Sequence, residues 1–269
     1  MKKYIALFFP LMICLVAMKA ASSYRHIPQK ALHPGEKISY KVNYGVINAG
    51  EALMVIDDKV HKMNNRPCYK VDIHGRTVGF FDVAIKIRDN WGSYIDTSAI
   101  VSQQFYQYIE EGKYKKKEII DFDHKNGKAI SNKLDKNTGE LKEKKVFPVP
   151  QNMQDIVSGY YYLRTLNFDT IKINDVFEIQ GFFDDTVYHI GIEYLGKEKL
   201  KTKIGTFEAL VISPIVPQNK FFSGRNPVKA WISDDDLKIP LKVRANLIVG
   251  GLEINIKDYE KGATRKPPK

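Results

Sequence analysis

The sequence predicts an all-β, mainly antiparallel fold: a large curved sheet or open barrel with one capping helix near residues 152–166. Apolar and polar residues alternate through most of the chain, which is the period of two expected of strands with one buried face. Asn, Asp and Gly interrupt these stretches at short intervals, a spacing typical of an antiparallel meander. Only one stretch has apolar residues at helical spacing.

The clearest single element is a β-hairpin between Val228 and Ala245. Two alternating stretches flank the turn Ser233 to Asp236, whose side chains can hydrogen-bond the turn backbone. Pro240 lacks an N–H group and is expected at the start of the second strand. The three aspartates could also join a calcium site, but the further oxygen ligands and glycine of such a loop are missing. We therefore favour the turn and predict no metal site.

Alternation predicts further strands on both sides of the helix. Asn126-Gly127 separates two of them and favours a two-residue hairpin turn. The segment from residue 78 to 109 is unusually aromatic, and its pattern is also attributed to strands. The remaining strands are expected near residues 37–46, 52–56, 69–73, 117–124, 128–134, 176–182, 187–194, 198–204, 207–212 and 248–256.

The exception to the β pattern runs from Asn152 to Leu166. Its apolar residues recur at spacings of three and four after two prolines, and Asn152 is suited to be the N-cap. We expect this helix to cover one face or the open end of the sheet. Packing is the expected role of its tyrosines, Tyr160 to Tyr162.

The first residues have the pattern of a cleavable secretory signal. Lys2 and Lys3 precede the apolar run Tyr4 to Met18, and small residues follow at Ala20 to Ser22. Cys14 lies within the apolar run, so a soluble exported form is favoured over a lipid-anchored one. We expect an exported, periplasmic or envelope-associated protein whose mature chain has no transmembrane span. The expected organisation is a signal peptide at 1–22, a flexible leader at 23–35, a single β-rich domain at 36–260 and a basic tail at 261–269.

The formal net charge is +11, and lysines cluster at residues 113–117 and 142–145. Such clusters can bind anionic lipid, polysaccharide or nucleic acid, but they also protect sheet edges from pairing with other chains. An exported protein is not expected to bind nucleic acid. After processing, Cys68 is the remaining cysteine, which excludes an intramolecular disulfide.

Catalytic motifs are absent from the sequence. It contains no Gly-x-Ser-x-Gly, Walker or dinucleotide-binding loop, no His-Glu-x-x-His and no Cys-x-x-Cys. We therefore predict no catalytic residue, no metal and no cofactor, and an enzyme is disfavoured. A hydrolase whose acidic residues come from distant strands remains an alternative.

Several sequence blocks resemble one known family. Gly35 to Tyr40 with Tyr44 to Gly50, Asp155 to Arg164, and Ala230 to Asp235 with Ile239 to Lys242 are similar to the DUF3108 family of exported bacterial proteins. The resemblance implies a periplasmic or envelope protein of Gram-negative bacteria. The family has no established activity, so no functional residues follow from it. The last block is also similar to a hairpin of LolA-like periplasmic lipoprotein carriers, whose curved open barrel holds acyl chains.

The leading functional hypothesis is non-enzymatic binding of a lipid or other hydrophobic ligand in a groove of the curved sheet. Aromatic residues make up 12% of the chain, a large number for one β domain with one helix. Burial in the core is the competing explanation for each candidate. The candidate ligand-binding residues are Phe80, Phe81, Trp91, Tyr106, Tyr160 and Trp231.

The alternative hypothesis is an envelope assembly or interaction protein. It would bind an anionic polymer or a partner protein through a basic patch, and salt would weaken that binding. The residues of this patch are Lys113, Lys115, Lys116 and Lys117.

Overall fold

The protein is described by a computed structural model for residues 24–216, 222 and 224–262. The described residues contain fourteen strands in one open antiparallel sheet, in the order β8-β7-β6-β5-β4-β3-β2-β1-β14-β13-β12-β11-β10-β9. This confirms the predicted fold class. The strands are β1 Lys37–Tyr44, β2 Ile47–Met63, β3 Arg66–Thr77, β4 Arg88–Asp96, β5 Ser102–Glu111, β6 Tyr114–Asp123, β7 Lys128–Leu134, β8 Leu141–Pro148, β9 Val176–Phe183, β10 Thr186–Thr202, β11 Gly205–Pro214, β12 Val228–Ser233, β13 Pro240–Asn246 and β14 Gly251–Glu260.

The first and last strands pair with each other in the middle of the sheet. Tyr40 lies opposite Ile256, and Val42 lies opposite Ile254. Strands β1 to β8 therefore extend one way from this central pair, and β14 to β9 extend the other way. The two ends of the sheet are β8 and β9, which come from the middle of the chain.

The sheet is curved so strongly that these two ends approach each other. The β9–β10 turn places Asp184 3.1 Å from Lys116 on β6 and Asp185 2.9 Å from Lys133 on β7. These strands are far apart in the order of the sheet, so the contacts require it to curl back on itself. Gln154 lies in the gap, where it forms a bridge with Gly181 on β9.

Helix α2, Ile156–Leu163, occupies the inside of the curve and contacts β4 and β9. It is shorter than the predicted 152–166, and its N-cap is Asp155 rather than Asn152. The Asp155 carboxylate accepts hydrogen bonds from the backbone N–H groups of Val157 and Ser158, both at 2.7 Å. The Ser158 hydroxyl in turn accepts from the Asp155 N–H at 2.9 Å. This capping box fixes the start of the helix.

A second short helix, α1 at Gly79–Ala84, lies where the aromatic segment was attributed to strands. Gly79 has a φ of +57°, a value that takes the chain out of the extended conformation. The loop is closed by the Asp82 carboxylate, which accepts from the Thr77 hydroxyl at 2.8 Å and from Arg88 at 2.6 Å. The strand pattern resumes only at β4.

The two faces of the sheet have different roles. Ser93, Val71 and Ile56 lie opposite one another on β4, β3 and β2 and so share a face. The Ser93 hydroxyl donates to Asp155 at 2.6 Å, so this is the inner face, which α2 covers. The other face is called the outer face here.

Strands β12 and β13 form the hairpin that the sequence predicts. Its turn is closed by Asp235, which accepts from the N–H of Leu237 at 3.0 Å.

The residues before β1 pack against the sheet from Tyr24 onward. Ala31 and Leu32 are buried, and Arg25 donates to the Ala99 and Ile100 carbonyls at 2.9 and 3.0 Å. The expected signal peptide at 1–22, with Cys14, and the tail from residue 263 lie outside the described residues.

Candidate functional site

An apolar groove runs between helix α2 and the inner face of β9 and β10. It encloses about 400 Å³, within the range of small-molecule sites of roughly 300–1,000 Å³. The helix contributes Ile156, Tyr160 and Leu163, and the two strands contribute mainly isoleucine and aromatic side chains. The strand residues that line the groove are Ile179, Phe182, Phe183, Tyr188, Ile190 and Ile192.

Three large apolar side chains of this groove remain open to solvent. Ile156 is 45% exposed, Tyr188 is 44% exposed and Ile190 is 40% exposed. They face one another across the groove, whereas Val157 and Tyr161 on the other side of the helix are buried. Leaving apolar surface in water costs about 25 cal/mol per Å², so such a concave surface marks a binding site more often than an isolated exposed residue does.

The N-terminal end of α2 is held by buried polar contacts. The Asp155 carboxylate receives the Ser93 hydroxyl from β4. The side chain of the neighbouring Gln154 donates to the Ile100 carbonyl at 2.7 Å, and the backbone carbonyl of Gln154 accepts the N–H of Phe182 at 2.7 Å. These contacts join the helix to strands from both halves of the sheet. They fix one wall of the groove relative to the other.

The C-terminal end of α2 is held by a buried ion pair. Arg164 donates to both carboxylate oxygens of Glu36, at 2.6 and 2.8 Å. It also donates to the backbone carbonyls of Ala31 and Leu237, at 2.9 and 3.3 Å. Burial alone would lower the pKa of Arg164, but the Glu36 carboxylate raises it above its ordinary value. The helix is therefore a fixed element rather than a loosely attached cover.

Two of the six predicted ligand-binding residues lie at this groove. Tyr160 lines it, and Trp91 lies beside it, with its ring 6.5 Å from that of Phe183. The indole N–H of Trp91 is buried and has no hydrogen-bond partner among the described residues. An unpaired buried donor costs about 1–3 kcal/mol.

The structure does not bring the other four candidates to the groove. Tyr106 lies on the outer face, across Gly92, with its hydroxyl bonded to Asp72. Trp231 also points to the outer face and donates to Glu198 on β10.

Phe80 and Phe81 belong to α1 at one end of the strands. Their rings contact each other at 6.1 Å, and Phe80 is largely exposed. Tyr106 and Trp231 on the outer face are thus separate from Phe80 and Phe81 on α1. Neither set lies at the groove.

The most exposed groove residues were not predicted as ligand-binding residues. Tyr188 and Ile190 occupy alternate positions of a predicted strand, so the sequence places them on one face together. Their aromatic and branched side chains have the same pattern as core residues. The sequence does not show that α2 leaves them uncovered.

Three of the four lysines of the predicted basic patch line one hollow, and Lys113 is not among its lining residues. Strand β6 turns successive side chains to opposite faces. Lys116 points inward and pairs with Glu118 at 3.0 Å and Asp184 at 3.1 Å. Lys115 pairs with Glu110 at 3.2 Å, while Lys113 is exposed in the turn. Lys115, Lys116 and Lys117 line this basic hollow together with lysines of the β7–β8 region.

Another hollow, of about 540 Å³, lies against β1 to β5. Its lining includes Glu51, Arg76, Arg88 and Lys257. Glu51 is already paired with Arg76 at 2.6 Å and with Lys257 at 3.2 Å. The charges there satisfy one another, so the hollow offers less to a ligand than the apolar groove does.

Cys68 and His124 are not among the residues that line the groove. Within residues 24–216, 222 and 224–262, no group of three or more His, Cys, Asp or Glu side chains is placed to hold a metal ion. Burial raises the pKa of Cys68 to about 12, so little of the reactive thiolate exists at neutral pH. Burial also lowers the pKa of His124, whose ring contacts the Ser102 carbonyl. The groove itself offers an apolar surface.

Among the described residues, no helix has the length and apolar character that crossing a bilayer requires.

The fold is similar to a β-barrel-like protein of the DUF1849 family from Brucella abortus, with a TM-score of 0.55, 8% identity, and coverage of 88% of this chain and 99% of that one. A candidate lipoprotein of Parabacteroides distasonis aligns with a TM-score of 0.36 and 10% identity, over 87% of this chain and 97% of that one.

A candidate exported protein of Bacteroides fragilis aligns with a TM-score of 0.32 and 9% identity, over 89% of this chain and 100% of that one. No curated protein matches the chain. The sequence does match the family described as "Protein of unknown function (DUF3108)" over residues 39–257. That match spans most of the sheet together with helix α2, and the chain belongs to the DUF3108 family.

Proposed function

We propose that the protein is an exported envelope protein that binds a hydrophobic ligand, such as a lipid acyl chain, in the groove between α2 and β9–β10. The observation that carries the proposal is the set of three apolar side chains, Ile156, Tyr188 and Ile190, left partly open in a concave site. The signal-like N-terminus supports export. Binding requires no chemical step, so the protein would hold or carry its ligand.

The proposed ligand has an apolar body and a small polar end. Apolar side chains dominate the groove, which favours an alkyl chain or flat ring system over a charged molecule. The free indole N–H of Trp91 beside Phe183 would donate to an ester or carboxyl oxygen. The buried contacts that hold α2 at both ends keep the groove formed before binding, which lowers the entropic cost of binding.

The proposal is tested with the exported protein, palmitate and the fluorescent probe N-phenyl-1-naphthylamine. We expect the probe to bind and palmitate to displace it. The double variant Ile156→Gln/Ile190→Gln should weaken palmitate binding by about thirtyfold, since each substitution removes roughly 1 kcal/mol of apolar contact. Solvent extraction of the exported protein, followed by mass spectrometry, should release an acyl-chain compound.

The matched control is Leu141→Gln/Val146→Gln on strand β8, where both side chains are similarly exposed but lie outside the groove. It should bind palmitate as the wild type does. Equal loss in the control and the groove variant would show that binding is not at the groove. A wild-type protein that binds neither probe nor palmitate and releases no ligand would refute the proposal.

A further inference from the structure

Three neighbouring turns at one end of the sheet expose large apolar side chains to solvent. They are the β1–β2 turn, the β3–β4 connection with α1, and the β13–β14 turn, which are adjacent because these strands are neighbours in the sheet. Each side chain of the set is more than half exposed, and Val46 is fully exposed. We call this set the apolar rim: Val46, Phe80, Val83, Ile85, Ile248 and Val249.

The turns of the apolar rim are joined to one another. The Tyr44 hydroxyl donates to the Val249 carbonyl at 2.8 Å, and its ring packs 6.1 Å from that of Phe81. The Val78 N–H donates to the Ala49 carbonyl at 3.0 Å. The exposed side chains therefore belong to one supported surface and not to three independent loops.

This composition is unusual for turns. Residues 45–46 and 247–250 connect strands, and such positions favour Gly, Asn, Asp and Ser. Here Val46 and Ile248-Val249 occupy the turns, and Ile47 is the first residue of β2. These side chains fill no core position, so their packing does not explain them. Clustered exposed apolar residues of this kind mark a surface that contacts an apolar partner.

The charges around the apolar rim favour a membrane as that partner. Residues 42–50 and 245–252 contain no charged side chain. Two of the acidic residues next to the apolar rim are neutralised: Glu51 by Arg76 at 2.6 Å, and Asp82 by Arg88 at 2.6 Å. Glu253, beside the β13–β14 turn, is similarly paired with a lysine at 3.2 Å.

Free cations border the same surface. Lys86 directly follows Ile85, and its carbonyl accepts the N–H of Gly112, which brings the β5–β6 turn and Lys113 alongside. Neither lysine has an ion-pair partner in the described part of the chain. Glu111, the last residue of β5, is an acidic side chain beside them that also has no ion-pair partner there. Apolar tips with lysines set just behind them match the layering of a bilayer, where phosphates lie above the acyl chains.

We propose that the apolar rim inserts shallowly into the surface of a bilayer that contains anionic phospholipid. The six apolar side chains enter the acyl boundary, and Lys86 and Lys113 contact lipid phosphates. This docking is separate from ligand binding in the groove and stands or falls independently. It would hold the end of the sheet that carries α1 against the membrane.

Flotation of the exported protein with vesicles of phosphatidylethanolamine and phosphatidylglycerol tests the proposal. We expect binding that is weaker on pure phosphatidylcholine vesicles. The variant Val46→Ser/Phe80→Ser/Val249→Ser should lose affinity by about tenfold or more, because three inserted side chains are replaced. Since all three positions are exposed, the variant should keep its fold and its palmitate binding.

The matched control is Leu141→Ser/Val146→Ser/Ile173→Ser, three comparably exposed positions away from the apolar rim. It should bind vesicles normally. An environment-sensitive fluorophore on Val46→Cys should shift to the blue on vesicles, whereas one on Leu141→Cys should not. Absence of vesicle binding, equal loss in the control, or a concentration-dependent dimer that the rim variant abolishes would overturn the proposal, the last in favour of a second copy of the chain.

Discussion

At the scale of single residues, the pair Glu36 and Arg164 shows how the groove is kept in shape. Both side chains are almost fully buried, at 1% and 0% exposure. Two charges removed from water are tolerated only when each satisfies the other. Through its further bonds to Ala31 and Leu237, Arg164 ties the residues before β1, the end of α2 and the β12–β13 turn to one point.

Removal of one partner should therefore destabilise the protein strongly. We expect Arg164→Met to lower the free energy of unfolding by about 3–5 kcal/mol, because Glu36 is left as an uncompensated buried charge. The double variant Glu36→Gln/Arg164→Met should recover part of that loss. Urea denaturation followed by tryptophan fluorescence measures both.

Lys37→Met is the matched control for this pair. Lys37 pairs with Glu260 at 3.2 Å, but both side chains are about half exposed. Exposed pairs contribute about 0–1 kcal/mol, so this variant should unfold nearly as the wild type does. If Arg164→Met is as stable as Lys37→Met, the buried pair does not hold α2.

Strand β5 carries aromatic side chains on both of its faces. Tyr106 was a reasonable candidate for an apolar groove, yet it lies on the outer face. Aromatic residues at 105, 106 and 108 place large side chains on both faces of β5, so alternation does not identify the inner one. Gly92 leaves the space that the Tyr106 ring occupies on the outer face, since a Cβ at Gly92 would lie 2.1 Å from that ring. That cross-strand fit depends on the pairing of β4 with β5.

At the scale of elements, the position of α2 depends on the Asp155 cap. The sequence predicted the helix and its role as a cover from the spacing of its apolar residues. It placed the start at Asn152, because Asn is an equally good N-cap by residue type. Asp155 is the N-cap because Ser93 and the N–H groups of Val157 and Ser158 converge on it, and Ser93 is 62 residues away in the chain.

Two variants of Asp155 should distinguish the contribution of its hydrogen-bond acceptor to stability from the contribution of its charge. We expect Asp155→Ala to cost about 1–2 kcal/mol of unfolding free energy, since two N–H groups lose their acceptor. Asp155→Asn keeps an acceptor oxygen and should cost less. Urea denaturation at several pH values compares the three proteins.

The stability of wild type relative to Asp155→Asn should fall as pH rises. Burial raises the pKa of Asp155 above its ordinary value of 3.8, although hydrogen bonds from Ser102 and Ser93 oppose the shift. The folded protein then holds the proton more tightly than the unfolded chain. The stabilising contribution of Asp155 is complete below pH 3.8 and decreases as pH rises above it. Wild type should therefore lose stability relative to Asp155→Asn between pH 3 and 7, and a change in the opposite direction would contradict the raised pKa.

At the scale of the whole molecule, the sequence predicted the type of sheet but not which distant strands pair with each other. Strand periodicity is local, so stretches such as residues 37–46 and the hairpin at 228–245 were predicted close to their observed bounds. The pairing of β1 with β14 joins residues more than 200 positions apart, and no local pattern specifies it. The groove depends on that long-range closure, because α2 and β10 face each other only when the sheet curls.

The ion pairs of the β9–β10 turn should help to hold the curled sheet together. Lys116 and Lys133 reach Asp184 and Asp185 across the opening between the two ends of the sheet. Asp185 is 22% exposed, so its pair with Lys133 is partly shielded from water, whereas Asp184 is 67% exposed. Burial would raise the pKa of Asp185, but the bond from Lys133 lowers it. The contribution of Asp185 is therefore present above pH 3.8 and lost as pH falls through its lowered pKa.

The double variant Asp184→Asn/Asp185→Asn should open the groove locally without unfolding the protein. Each pair contributes about 0.2–1 kcal/mol, so global stability should change by no more than about 2 kcal/mol. Hydrogen–deuterium exchange should accelerate in β9 and α2, which border the opening, and stay unchanged in β1 to β3 at the centre of the sheet. Glu260→Gln, which removes an exposed pair on β14, should leave the exchange of β9 unaltered. Unchanged exchange in β9 and α2 of the double variant, or uniform acceleration across all strands, would show that the turn is not what holds the two ends of the sheet together.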